Sequence, residues 1–165
     1  MTKLLLALLI SLPIAAYAET VTVDKYTGIT SKVSDPIKLS DSRTIKLTKV
    51  EDKRPPGLSA VVLTYVKDGA YDFKPLSQTR EFINDKRGYL MIDSEPVLLG
   101  DGIYDGKAHF PPGNHYINEN VGYILKPEVI SKLTNATKIE GRIGSRTEFI
   151  LTPAQVETVK QFASN

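Results

Sequence analysis

Apolar and polar residues alternate with a period of two along most of the chain, and switch to helical spacing in two windows near its end. In "TVTVDKY" Val21 and Val23 share one face, and Thr27-Gly28 turns the chain. "PIKLS" and "TIKLTKV" then place Ile37 and Leu39, and Ile45, Leu47 and Val50, in alternation that slips at the end. This is the period of half-buried strands. "EDKRPPG", 51–57, is charged and broken by proline, and so predicts a turn. "LSAVVLTYVKDG" is apolar, β-branched and long enough for a central strand. In "SQTREFINDKRG" an edge strand through Arg80 to Ile83 is preferred over a helical turn. "YLMIDSEPVLLGDG" predicts two short strands around a turn at Asp93-Ser94-Glu95-Pro96, and "VGYIL" predicts another strand.

Helical spacing begins at Pro127, which suits a first helical position because its missing N–H would be unpaired there anyway. Val129, Ile130, Leu133 and Ala136 form one apolar stripe, giving a helix over about 127–136. "TKIEGRI", a turn at Gly144-Ser145 and "TEFIL" predict a hairpin. Thr152, Pro153 and Gln155 have the spacing of a capping box, and Val156, Val159, Phe162 and Ala163 form the stripe of a second helix, 153–163. Strands followed by strand, helix, hairpin and helix predict an α+β domain: an antiparallel sheet with both helices packed on one face. We find no repeat, low-complexity tract or linker, so 19–165 reads as a single domain.

The stretch "KLTNATKIEGRIGSRTEFILTPAQVETVKQFAS" resembles the ends of small exported bacterial proteins of unknown function. In those, a Leu-x-x-Ala helix end leads into a charged strand, then Phe-x-Leu, then a capped final helix. The matching positions are Leu133, Ala136, Arg142, Phe149, Leu151 and Thr152. The resemblance covers about 40 residues; it implies the fold and an exported compartment, and brings no catalytic motif.

The N-terminus predicts the same compartment. "MTKLLLALLISLPIAAYAET" has one charge at Lys3, an apolar run, Pro13 and the small-residue ending Ala16-Tyr17-Ala18, the pattern of a secretory signal peptide. The uncharged run from Leu4 to Ala18 is 15 residues, short of the roughly 20 that span a bilayer. Cleavage after Ala18 would leave 147 residues starting at Glu19, in a periplasmic or secreted protein with no integral membrane segment. With no cysteine in the chain, disulfides and a lipidated N-terminal cysteine are excluded. Stability therefore rests on a hydrophobic core, and a chain this long can bury one. Without Lys3 there are 20 basic and 19 acidic residues, spread without blocks, so neither a nucleic acid nor an anionic membrane is expected as partner.

Candidate chemistry gathers in "GKAHFPPGNHYINEN", 106–120, which holds both histidines. Pro111-Pro112-Gly113 turns the chain between them and could bring His109 and His115 together, with Glu119 or Asp105 as a third metal ligand. The same residues read more simply as a proline-stiffened turn between two strands. Phe110 and Tyr116 flank the histidines, and Tyr104 lies nearby, a composition suited to a contact surface. "GDGIYDG" lacks the alternating oxygen ligands of a calcium loop and reads as two Asp-Gly turns around a short strand. No serine sits in a nucleophile elbow, and Asp93 and Glu95 lack the apolar setting that raises a carboxyl pKa. The expectation is a non-enzymatic exported domain with no cofactor. It would bind an envelope partner, as an accessory, inhibitor or immunity-like module, through His109, Phe110, His115, Tyr116 and Glu119. The alternative is a metal-binding protein or metal-dependent hydrolase using His109, His115 and Glu119.

Overall fold

A computed structural model describes residues 19–54, 57–70, 83–109, 116–145 and 147–165. The signal segment 1–18 and the strand expected through Arg80 lie outside the described residues, and Ile83 precedes a strand instead of belonging to one.

Eleven strands and two helices are described, and every strand pair is antiparallel. The α+β class is thus observed, but the single sheet expected from the sequence is two. The larger sheet runs β1 (Thr20–Val23), β2 (Thr30–Val33), β4 (Arg43–Asp52), β5 (Leu58–Ala70), β9 (Tyr116–Leu125) and β8 (Ile103–His109), with β3 (Ile37–Ser40) also paired to β4. The smaller runs β11 (Thr147–Ile150), β10 (Ile139–Ile143), β6 (Arg87–Ile92) and β7 (Glu95–Asp101). Period-two alternation gives a strand's inward side but not the sheet it joins, which is why two sheets read as one.

Registered rows build the core. Ile45, Tyr65 and Val121 are paired across three strands, as are Leu47, Leu63 and Tyr123. All six are buried, in one cluster with Leu90, Ile92, Ile139 and Phe149 of the smaller sheet. The helices join the same cluster and pack on each other. Helix α1 (Pro127–Asn135) contributes Val129 and Leu133; α2 (Pro153–Ser164) contributes Val156, Val159 and Phe162. The capping box is present: Thr152 Oγ1 accepts from the Gln155 N–H, and Gln155 Oε1 accepts from the Thr152 N–H at 2.9 Å. Gln155 Nε2 also donates to the Lys38 carbonyl at 2.8 Å, tying α2 to β3.

The sheets meet around Tyr123. Its ring leaves no room for a side chain at Gly88 or Gly102, where a β-carbon would approach it to 2.5 and 2.8 Å. Its hydroxyl donates to the Lys86 carbonyl at 2.9 Å, which also accepts from the Gly102 N–H at 3.0 Å. The corner from β7 back to β8 therefore closes on one backbone oxygen.

Two turns differ from expectation. Between β6 and β7 only Asp93 and Ser94 turn, with φ of 49° and 73°; Glu95 and Pro96 already belong to β7. Asp93 holds this tight turn by accepting from Thr137 Oγ1 and the Thr137 and Lys138 N–H groups. Pro96 is tolerated because β7 is an edge strand. The second Asp-Gly, Asp105-Gly106, lies inside β8 and makes no turn.

Candidate functional site

Pairing of His109 with Tyr116 makes β8 and β9 a hairpin whose connection is 110–115. Phe110 and His115, in that connection, lie outside the described residues. His109 and Tyr116 are placed by their backbones at the ends of the two strands. The remaining nominated residue, Glu119, sits three pairs further along, opposite Gly106 on one side and Lys67 on the other.

Glu119 is not at the surface. It falls in the inward series Ile117, Glu119, Val121, Tyr123 and Leu125 of β9, and is 0% exposed. Burying a carboxylate is costly unless hydrogen bonds and opposite charge compensate it. Here the Ile83 N–H donates to Oε1 at 2.9 Å, the Tyr104 hydroxyl donates to the same oxygen at 3.2 Å, and Lys67 Nζ lies 3.8 Å from Oε2. Arg43, paired with Lys67 across β4 and β5, continues the row.

Gly106 makes this arrangement possible. Tyr104 and Gly106 point to the same side of β8, and the phenol leans over the bare glycine to reach Glu119. Lys86 Nζ lies 5.0 Å from the Tyr104 ring, on the chain segment that Glu119 also holds through Ile83. The carboxylate is thus a tie between β9, β8 and the chain entering β6. The metal reading that uses Glu119 calls on a carboxylate that this structure commits internally. Among the described residues no three His, Cys, Asp or Glu side chains gather as metal ligands.

The period of β9 carries this information. The alternation Ile-x-Glu-x-Val-x-Tyr-x-Leu puts Glu119 inward, whereas the neighbouring prolines and histidines suggest a loop. Lys67 and Ile83 are 52 and 36 residues away in the chain, so their part in the site is a product of the fold.

The outward face of the hairpin differs. Lys107 pairs with Asp105 at 3.5 Å. Asn120 donates to Asn118 Oδ1 at 2.6 Å, and Asn118 in turn donates to Asp68. Beyond this polar ladder, Ile103 is 69% and Ile124 60% exposed on the same side, flanking Gly122.

A second exposed surface lies on the smaller sheet. Its outer side forms an open groove of about 870 Å³, lined by Tyr89, Met91, Leu98 and Ile150 among others. Leu98 and Ile150 are each about two-thirds exposed. The Arg142 guanidinium stacks on Tyr89, 4.7 Å from the ring centroid. No known protein family, curated protein or solved structure matches the chain.

Proposed function

We propose that this is an exported, non-enzymatic domain that binds a protein partner in the bacterial envelope, as an accessory, inhibitor or immunity-like module. The observation that carries this reading is the outward face of the β8–β9 hairpin. Two exposed isoleucines, Ile103 and Ile124, adjoin a hydrogen-bonded ladder of Asp68, Asn118 and Asn120. Apolar residues beside an ordered polar rim have the composition of a contact surface. The connection bearing Phe110 and His115 continues from the same hairpin, and belongs to the proposed surface. Export rests on the leader pattern at 1–18. Against a catalytic reading stands the commitment of the buried Glu119 to the Tyr104 hydroxyl and to Lys67.

The test is gentle crosslinking of purified 19–165 to an envelope extract, followed by identification of the adduct. One discrete adduct is expected, lost on Ile103→Asp or on combined His109→Ala and His115→Ala, with the melting temperature unchanged. No adduct, or one indifferent to all three substitutions, would overturn the proposal.

A further inference from the structure

The outer face of the smaller sheet is ordered by the registers of its four strands. Pairing registers place its outward residues in two rows across all four strands. One row is Glu148, Arg142, Tyr89 and Leu98; the other is Ile150, Glu140, Met91 and Pro96. Between them runs the inward row Phe149, Gly141, Leu90 and Val97, which packs toward the core.

A two-fold axis laid along that middle row turns each strand onto itself with reversed direction. It brings one outward row of the first copy over the other row of the second. Leu98 then meets Pro96 of the second copy, Tyr89 meets Met91, and Arg142 meets Glu140, each contact occurring twice. Apolar positions face apolar ones, the thioether meets an aromatic ring, and cation meets carboxylate. Such reciprocity is what an isologous interface requires. The one mismatch, Glu148 over Ile150, falls at the β11 edge of the contact. Arg142 is available for the exchange: it stacks on Tyr89 and is in no ion pair among the described residues. Among the described residues Glu140 is in an ion pair with Lys138, itself largely exposed.

We propose that this face binds a second copy of the same chain, forming a two-fold, face-to-face dimer. Four strands about 4.8 Å apart and six residues of about 3.3 Å make a footprint of roughly 19 by 20 Å. That is about half of the roughly 800 Å² per partner in a standard stable interface. The dimer is therefore weak and fills only at high concentration. It leaves the β8–β9 hairpin, on the other sheet, outside the contact.

The experiment is sedimentation equilibrium of purified 19–165 from micromolar to millimolar concentration. The average mass is expected to rise toward twice the monomer value. Arg142→Glu alone and Glu140→Arg alone should each weaken association at least tenfold, since each places like charges opposite one another twice. An equimolar mixture of the two variants should associate again, because every pair across the axis is then opposite in sign. Both residues are at the surface, and the mixture carries both substitutions, so rescue cannot arise from altered folding. A mass that stays monomeric at millimolar concentration overturns the proposal, as does association indifferent to both variants, or a mixture no better than its components. Only pure protein is used, so failure here leaves the envelope-partner reading standing, and absence of an envelope adduct leaves the dimer standing.

Discussion

The phenol of Tyr104 lies over Gly106, so close that a β-carbon at residue 106 would come within 2.2 Å of its hydroxyl oxygen. Gly106→Ala must therefore push Tyr104 away from Glu119. We predict a loss of about 1–3 kcal/mol in urea denaturation, the cost of depriving a buried carboxylate of a donor. Tyr104→Phe should cost about as much alone and little more in the Gly106→Ala background. Additive losses would show that the ring's placement is not what the glycine serves.

Glu119 itself separates charge from hydrogen bonding. Glu119→Gln keeps an acceptor for the Ile83 N–H and the Tyr104 hydroxyl, and loses the charge attraction of Lys67. Glu119→Ala loses these three interactions and deprives the part-buried Ile83 N–H of its acceptor. We expect the alanine variant to lose about 2–4 kcal/mol and the glutamine variant clearly less, read from unfolding midpoints. Equal losses would mean that the carboxylate's charge outweighs its role as acceptor.

How far this site was legible follows from those partners. The inward direction of Glu119 is written in the alternation of β9, and both helices are written in their stripes and their leading prolines. The capping box is local, and spacing alone predicts it. The tie to Ile83 and Lys67 joins segments far apart in the chain, and no local pattern marks it. The turn at Asp93-Ser94 is shorter than its sequence suggests, because Pro96 signals a turn whereas an edge strand accepts proline without loss. Asp105-Gly106 misled for a related reason: the glycine answers to the ring lying on it, not to a bend.

Acid should weaken the fold in part through Asp93. Hydrogen bonds from Thr137 and Lys138 hold its carboxyl below the usual value of 3.8. A lowered native value stabilises the fold above pH about 4, and that contribution fades as pH falls further. Asp93→Asn tolerates the same positive φ and should lower the urea midpoint at pH 7. The gap between variant and parent should shrink between pH 4 and 2. A gap constant over that range would exclude Asp93 from the acid response.

Alkali acts on Tyr123. Burial, with Asp85 and Asp101 nearby, pushes its phenol well above the ordinary value of 10.0. A raised native value means that the unfolded chain gives up the proton first, so stability falls as pH rises past 10. Tyr123→Phe should be less stable at pH 7, by about 1 kcal/mol for the lost bond to Lys86. It should also decline less between pH 9 and 11. Tyr65, raised by burial and only partly offset by Thr147, keeps some alkaline sensitivity in that variant.

The C-terminal run of helix, hairpin and helix was the most legible part of the sequence, and its local signals are those of a self-contained unit. It is not one. Its first strand, β10, has β11 on one side and on the other β6, which lies about fifty residues earlier in the chain. Without β6 and β7 the run would keep a two-stranded ribbon, too small to cover Ile139, Ile143 and Phe149. Selection acting on these last forty residues is thus tied to selection on the β6–β7 hairpin, and recombination that carried one without the other would deliver an incomplete sheet.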